Sequence, residues 1–329
     1  MNVNVAAAKR TVKTALASNL GWKLFNRTLR RPGVSVLMYH RIRDDDASLG
    51  GLPLDVFTAH MEWLRERCDP IWPEELPARL RETRPQKPAV LVTFDDGFRD
   101  YHDRAYPVLS RLRIPATVFL ATSFMDRGGE GIMWTEELQW AAVSTQKKSV
   151  ALPWEAQKTI DLPDRNARAR LGEIARDHLK SLPDDQRRET LDALLRELGS
   201  APNRGREMLN WDEVRKTTQW TRYGGHTHTH PILSRLPRHE AEREIATCRE
   251  RIKAETGDDP KTFAYPNGRA SDYTAETQAI LKEQGFTLAF TTVEGVALPN
   301  SDLLAINRLP AYADNIPDFA YATAGLERV

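Results

Sequence analysis

The sequence predicts an α/β domain built on a parallel sheet. Short, continuous apolar runs, typical of strands that are buried on both faces, recur along the chain. Segments with the spacing of amphipathic helices separate them, and repeated strand–helix units place neighbouring strands parallel. With 329 residues the chain is long enough to bury a large core as one such domain, with or without an insertion.

Five apolar runs are predicted as strands, and five helix-period segments are predicted as helices. The helix boundaries carry the usual signals, such as Pro237 at the start of one helix and Gly257 just after its end. The predicted strands cover residues 34–39, 89–94, 116–121, 261–265 and 287–291, and the predicted helices cover residues 55–68, 101–112, 211–218, 238–256 and 275–283.

One region, about residues 135–205, interrupts the alternation and shows no strand pattern. It holds two charged helical stretches, 164–180 and 183–198, joined by a Ser-Leu-Pro-Asp-Asp segment that ends one helix and starts the next. These features predict a helical hairpin inserted between strands, with its leucines facing a core. A lid or a partner-binding surface is the alternative, since long insertions on a catalytic face are often functional.

Residues 1–31 are predicted to be an N-terminal helical extension, and residues 32–329 the main domain. Lys and Arg mix in the extension with Trp22, Leu24 and Phe25 in a helix-compatible way. We expect this helix to pack on the domain, with peripheral membrane contact as the alternative. No signal-peptide core and no run of roughly 18 apolar residues is present, so a cytoplasmic protein without a membrane span is expected.

Charge and cysteine content argue against two broad classes of protein. The chain has 47 Lys and Arg against 46 Asp and Glu, so nothing indicates nucleic acid as a partner. Its two cysteines, Cys68 and Cys248, lie in helix-like segments without metal-ligand spacing. Reduced structural thiols are therefore expected rather than a disulfide framework.

Two motifs carry the chemistry. Asp95 and Asp96 follow one apolar run, and His226 and His230, spaced i, i+4, follow a second strand-like segment. Singly, paired Asp before Gly often forms a turn or helix cap, and a His cluster is often a surface feature. Together they stand at the ends of strands, where α/β folds collect functional groups. One carboxylate and two imidazoles can bind a divalent metal, and the other carboxylate can act as a base, which outlines a hydrolase.

These segments resemble the polysaccharide deacetylases, carbohydrate esterase family four, over about residues 34–125 and 208–310. The resemblance implies a distorted (β/α)7 barrel and a metal-dependent hydrolase that removes N-acetyl groups from an amino sugar or glycan. Residues 36–42 look like the first strand of the poly-N-acetylglucosamine deacetylase branch, 93–97 like the family's first motif, 115–120 like its next strand, 226–231 like its histidine motif and 263–268 like a variant of its third motif.

The expected metal ligands are Asp96, His226 and His230, which suit zinc and also cobalt, nickel or iron. Asp95 is the expected general base. By the resemblance, a backbone N–H in the third motif stabilises the oxyanion, here that of Asn267, because Pro266 has no N–H.

The chain also departs from the family pattern. Ala264 stands where an arginine usually pairs with the base, and residues 306–310 lack the late Leu-x-His motif whose histidine is the usual general acid. His40, at the end of the first strand, is either a substitute acid or a buried structural histidine. Arg308 is expected to contact substrate or to form a structural ion pair. Trp134 is the candidate for a sugar-stacking wall.

A carbohydrate is thus the expected partner, and the expected intracellular location suggests a precursor or lipid-linked sugar. Two kinds of alternative remain open. A deformylase, an O-acetyl esterase or a cyclic-amide hydrolase would use the same fold and metal on a different bond. A catalytically silent glycan-binding protein would explain the missing auxiliary motifs, although the intact carboxylates and imidazoles argue against it.

Overall fold

The computed structural model describes residues 2–29, 32–43, 50–82, 85–199 and 205–326. Within these ranges the chain forms ten strands and thirteen α-helices. The strands are β1 Ser35–Tyr39, β2 Asp69–Pro70, β3 Ala89–Phe94, β4 Ala116–Leu120, β5 Ser149–Leu152, β6 Glu155–Asp161, β7 Thr221–Gly225, β8 Thr262–Ala264, β9 Leu288–Glu294 and β10 Ile306–Pro310. The helices are α1 Asn2–Ala17, α2 Asn19–Thr28, α3 Leu54–Arg67, α4 Leu76–Arg79, α5 Tyr106–Leu112, α6 Thr122–Asp126, α7 Trp134–Ser144, α8 Arg165–Ser181, α9 Asp184–Leu198, α10 Trp211–Lys216, α11 Arg238–Thr256, α12 Ala275–Glu283 and α13 Ile316–Thr323.

Seven parallel strands close into a barrel. Their order is β1, β10, β9, β8, β7, β4 and β3, and β1 closes the ring by pairing with β3 as well as with β10. The two-residue strand β2 pairs with the first residues of β3. Strands β1, β3 and β4 are buried at every position, which explains their continuous apolar sequences. The predicted distorted (β/α)7 barrel is confirmed.

The five predicted strands and five predicted helices all occur, although the helix over residues 101–112 begins as the π-helical turn Tyr101–Ala105. Strand β10 was not predicted, and β7 was expected only as a strand-like segment before His226. Each is only five residues long and carries an arginine, Arg222 or Arg308, that interrupts the apolar pattern. Cys68 and Cys248 are buried, free thiols, as expected.

The inserted region differs from the predicted helical hairpin. Helices α8 and α9 are present, but an antiparallel hairpin of β5 and β6 precedes them, so the expectation of no strand was wrong. Val150 and Leu152 alternate with exposed residues and face a small core of their own, shared with Leu171 and Leu191. A short alternating strand in a charged region gives a weak pattern, because only two of its residues are apolar and buried.

The N-terminal helices pack on the barrel domain. On α2, Trp22 is 2% exposed, its ring meets that of Trp63 edge-on at 4.6 Å, and its indole N–H donates to the Arg67 carbonyl. The opposite face of α2 carries Leu20 and Leu24, which are 80% and 61% exposed. No helix in the described residues is long and apolar enough to cross a membrane.

Candidate active site

The carboxylate and histidine motifs meet at the carboxyl end of the barrel. Asp95 and Asp96 directly follow β3, and His226 directly follows β7. Strand β4 lies between these two strands and pairs with both of them in parallel. Because parallel strands end at the same rim of a barrel, groups that are distant in sequence converge there.

The three predicted metal ligands form a compact triangle. Asp96 Oδ1 lies 3.3 Å from His226 Nε2 and 3.4 Å from His230 Nε2, and the two imidazole nitrogens are 3.2 Å apart. With bonds of about 2.0–2.1 Å, ligand atoms on a tetrahedral zinc ion stand about 3.3 Å apart. The donor types and the spacing of these side chains therefore fit a divalent metal of zinc's size.

The imidazole of His226 is oriented by a backbone carbonyl. Its Nδ1 lies 2.7 Å from the oxygen of Ala264, so Nδ1–H donates there and the Nε2 lone pair faces Asp96. The ring is nearly inaccessible, with 3% of the side chain exposed. Burial opposes protonation of His226, but hydrogen bonding to Asp96 and the charges of Asp95 and Asp96 together outweigh it, so the pKa lies above its usual value in the absence of a metal.

A carboxylate from α11 holds the histidine loop in place. Glu244 accepts hydrogen bonds from the backbone N–H groups of His228 and Thr229 at 2.9 and 2.8 Å, and from the Thr229 hydroxyl. The imidazole of His228 faces the Thr122 hydroxyl at 3.0 Å and takes no part in the ligand triangle. The loop thus presents two of its three imidazoles to the same point.

Backbone strain is concentrated at this site. Five non-glycine residues in the described chain have a left-handed backbone, and four of them are Asp96, Thr227, His230 and Asn267, with φ of 74°, 64°, 66° and 58°. Non-glycine residues rarely hold this conformation unless the surrounding structure imposes it, and such positions often mark functional sites. In the described residues, the Asn267 N–H donates to no other group. This free donor is what an oxyanion-binding role requires.

Asp95 is held by a buried arginine. The guanidinium of Arg308 donates to both carboxylate oxygens at 2.7 Å, and it also donates to the Thr93 hydroxyl and the Thr291 carbonyl. Burial acts to raise the pKa of Asp95, but the charge and hydrogen bonds of Arg308 outweigh it and lower the pKa. Asp95 is therefore an ionised carboxylate with a fixed orientation.

Of the two roles expected for Arg308, the structure shows the ion pair, and this side chain is 0% exposed. Arg308 reaches Asp95 from β10 and performs the pairing that Ala264 cannot. The position of Arg308 inside a barrel strand indicated this ion pair, since an arginine in a buried strand needs a carboxylate partner. The sequence did not reveal which carboxylate that was.

His40 lies at the cavity edge beside the base. Its Nε2 is 3.8 Å from Asp95 Oδ2, and its Nδ1 is 2.6 Å from the hydroxyl of Tyr312. The imidazole is 31% exposed, so it is not a fully buried structural histidine. Tyr312, two residues past β10, was missed at the sequence level. Desolvation and the Asp95 and Asp96 carboxylates raise its pKa, so its phenol remains protonated.

A cavity of about 820 Å³ opens over these groups, and its lining includes His40, Asp95 and Asn267. Helices α7 and α8 of the inserted region form one wall of it. Trp134 does not line the cavity as expected, although the next residue, Thr135, does. The Trp134 ring packs on the core of the insertion, with the Arg187 guanidinium 5.4 Å from its centre. A sugar-stacking role for Trp134 is therefore not supported.

A closed parallel barrel with carboxylates and imidazoles gathered over its strand ends defines a hydrolase-type site. The family model described as polysaccharide deacetylase matches residues 82–160 and 198–289, just over half of the chain. The chain belongs to the polysaccharide deacetylase family. The members of this family are hydrolases of carbon–nitrogen bonds other than peptide bonds, which act on carbohydrates and generally depend on a divalent metal.

Individual relatives agree with this membership. A putative polysaccharide deacetylase of Bacillus subtilis (strain 168), YxkH, is 37% identical over 87 residues, which are 26% of this chain and 30% of that relative. The match thus covers less than a third of YxkH. The deacetylase PplD of Streptococcus pyogenes superposes with a TM-score of 0.61 at 18% identity, covering 89% of this chain and 99% of PplD. IcaB of Ammonifex degensii superposes with a TM-score of 0.59 at 20% identity, covering 90% and 98%. At these identities the two structures show a shared fold.

Proposed function

We propose that this protein is a metal-dependent de-N-acetylase of an amino sugar or glycan. The observation that carries the proposal is the ligand triangle of Asp96, His226 and His230, with sides of 3.2–3.4 Å, directly beside the ionised Asp95. A base next to three metal ligands is the minimum set for metal-assisted hydrolysis. The solved structure of PplD contains acetate, the product that such a reaction releases.

Asp96, His226 and His230 would hold the metal, with zinc proposed and cobalt, nickel or iron as alternatives. When bound, a divalent metal here supplies a Lewis acid for the acetyl carbonyl and lowers the pKa of water. The hydrogen bond from His226 to the Ala264 carbonyl keeps the correct nitrogen free for this role.

Different neighbouring side chains accept and donate the protons of the reaction. Asp95 accepts a proton from the attacking water, and Arg308 keeps this carboxylate ionised and aimed. The free N–H of Asn267 donates to the oxyanion as the carbonyl becomes tetrahedral. We assign His40 to its imidazolium form, in which Nδ1–H donates to the Tyr312 hydroxyl oxygen and the Nε2 proton faces the cavity. His40 then donates a proton to the leaving amine.

The first test is the identity of the products. Metal-loaded protein incubated with N-acetylated amino sugars should release acetate and a free amine in equal amounts, and a chelator should stop the reaction. Formate, an alcohol or a ring-opened amide as product would instead identify a deformylase, an O-acetyl esterase or a cyclic-amide hydrolase. Metal-loaded protein that binds N-acetylated glycans and releases none of these products would favour the binding-protein alternative.

We propose in addition that α2 contacts an anionic membrane surface. Residues 1–31 contain seven Lys and Arg and no Asp or Glu. Lys23 and Arg27 lie on the exposed side of α2 beside Leu20 and Leu24, while Trp22 anchors the other side to the domain. Exposed leucines flanked by cations are typical of interfacial helices. The cytoplasmic location remains a prediction.

Vesicle sedimentation tests this contact. The protein should sediment with vesicles of anionic phospholipid and much less with zwitterionic vesicles, and Leu20→Ser with Leu24→Ser should abolish sedimentation. Ile174→Ser is the matched control, because Ile174 is also exposed (43%) but lies on α8. Equal sedimentation by the double variant and the wild type would contradict membrane contact through α2.

A further inference from the structure

The catalytic cavity is larger than an acetyl group needs. Its volume of about 820 Å³ falls in the range of roughly 300–1,000 Å³ that is usual for sites enclosing a whole small-molecule ligand. The carboxylates and imidazoles of the proposed reaction occupy one end of it. The rest of the lining, which the proposed chemistry does not use, comes largely from the inserted region and from the loop after β8.

Helix α8 presents one face to this cavity. Two acidic residues of α8, Glu173 and Asp177, line the cavity beside the basic ones. The lining residues Ala169, Glu173, Arg176 and Lys180 recur every three or four positions, which is the spacing of a single helix face. Arg176 and Lys180 are therefore neighbours one turn apart. Arg269, which follows the third motif, also lines the cavity. Two separate parts of the chain thus place three cationic side chains at one end of it.

The three cations lie within electrostatic reach of one another. Burial lowers the pKa of the Lys180 ammonium, and the charges of Arg176 and Arg269 lower it further. The Asp272 and Asp177 carboxylates act in the opposite direction but do not outweigh these effects. Arg176 and Lys180 are half-buried and Arg269 is exposed, and an anion that binds among the three would relieve the repulsion on Lys180.

In the part of the chain that the structure describes, none of these cationic side chains is held by a close partner. Across the described residues, no hydrogen bond or ion pair involves the side-chain nitrogens of Arg176, Lys180 or Arg269. The contrast with Arg41 is clear, because Arg41 lines the same cavity but is bound by Asp100, Glu136 and Glu207. Asp272, the nearby buried acid, accepts a hydrogen bond from the backbone N–H of Arg269 rather than from its guanidinium.

We propose that Arg176, Lys180 and Arg269 form a binding subsite for an anionic group of the substrate, a phosphate or a carboxylate carried on the N-acetylated sugar. This inference rests on the proposed de-N-acetylation and narrows its substrate class. The acetamide occupies the end of the cavity with Asp95 and Asp96, and the anion occupies the end formed by α8. Arginine and lysine together provide the donors that planar carboxylates and phosphates require.

Steady-state kinetics test the subsite. Acetate release is measured from N-acetylglucosamine, from N-acetylglucosamine 1-phosphate and from an N-acetylated disaccharide that contains a uronic acid. At least one anionic substrate should be preferred, and its identity distinguishes phosphate from carboxylate. Arg176→Gln and Lys180→Gln should each lower kcat/KM for that substrate by roughly tenfold, mainly through KM, as expected for one lost charge-assisted hydrogen bond. For the neutral sugar, kcat/KM should change less than about twofold in these variants.

A matched variant and a second measurement separate the two proposals. Lys147→Gln removes an exposed lysine of the same inserted region that does not line the cavity, and it should have no effect on any substrate. Calorimetry with pyrophosphate should show binding to the wild type and at least tenfold weaker binding to Lys180→Gln, with no need for turnover.

Each outcome is decisive. Equal kcat/KM for neutral and anionic sugars, unchanged in Arg176→Gln and Lys180→Gln, would overturn the subsite and leave de-N-acetylation standing. Pyrophosphate binding that depends on Lys180, in a protein that releases no acetate from any sugar, would support the subsite and overturn the proposed function.

Discussion

The two ends of the cavity differ in how their charged groups are held. At the barrel end, every charged group that we assign to the reaction has bonded partners: Asp95 is paired with Arg308, and His226 is fixed by a backbone carbonyl. At the insertion end, the cationic side chains of Arg176 and Lys180 have no bonded partner in the described chain. Fixed partners orient groups for chemistry, whereas unpaired charges are available to bind an oppositely charged group of the substrate. The barrel is therefore suited to catalysis and the insertion to specificity.

Loss of the proposed base should have the largest effect on the barrel end. Asp95→Asn keeps the shape of the side chain but removes the proton acceptor, so kcat should fall by roughly 10²–10⁴-fold. Metal content, measured by elemental analysis, should be unchanged. Asp96→Ala is the matched variant, and it should lose metal and activity together. A fully active Asp95→Asn enzyme would remove Asp95 from its assigned role.

Acid should destabilise the barrel through His60, which is 0% exposed and stacks on Phe319 at 3.7 Å. Burial lowers the pKa of His60 to about 4. In the unfolded chain the pKa of His60 is 6.5, so on acidification the unfolded state binds the proton first. The contribution of neutral His60 to stability is therefore complete above pH 6.5 and is lost as the pH falls toward 4. The free energy of unfolding should fall by about 2 kcal/mol by pH 5 and by about 3 kcal/mol in total.

Urea denaturation at pH 7 and pH 5 measures this effect. The difference in free energy of unfolding between the two pH values should shrink by about 2 kcal/mol in His60→Gln. His178→Gln, which changes a histidine of the insertion, should retain the wild-type difference because His60 is intact. If His60→Gln and the wild type lose stability equally on acidification, His60 is not the acid-sensitive group.

Replacing the arginine that orients the base should have an intermediate effect. Arg308→Lys keeps the charge but loses the two parallel hydrogen bonds to Asp95, so kcat should fall by about 10–100-fold with little change in KM. Arg308→Gln leaves a buried carboxylate unpaired and should destabilise the fold by about 3–5 kcal/mol. A change in KM alone, with kcat retained in Arg308→Lys, would instead indicate a substrate contact.

The smallest expected effect is that of replacing His40, the proposed general acid. His40→Ala should slow cleavage of an N-acetyl amide at least tenfold more than cleavage of an aryl acetate, because an aryl oxide leaves without being protonated. Tyr312→Phe removes the hydrogen bond to Nδ1 of His40. It should also slow amide cleavage more than ester cleavage, but by less than His40→Ala does. Equal losses on the amide and the ester in His40→Ala would assign His40 a structural role.

The sequence was sufficient for the local parts of this protein. Continuous apolar runs indicated buried parallel strands, and five of the seven barrel strands were located from them. The sequence also grouped Asp96, His226 and His230, and the structure brings these side chains together, because each stands directly after a strand or in the short loop that follows it. Residue type and position relative to a strand end carry this information without knowledge of the packing.

The tertiary structure alone decided which distant side chains meet. Arg308 bonds to Asp95 across 213 positions, and Tyr312 bonds to His40 across 272. Both contacts depend on β10 closing the barrel against β1, with Leu37 in register with Leu309. A long-range register is set by the packing of the whole barrel, which leaves no local pattern in the residues it joins. The placement of Arg176 and Lys180 has the same origin, because only the tertiary structure decides that this face of α8 lines the cavity.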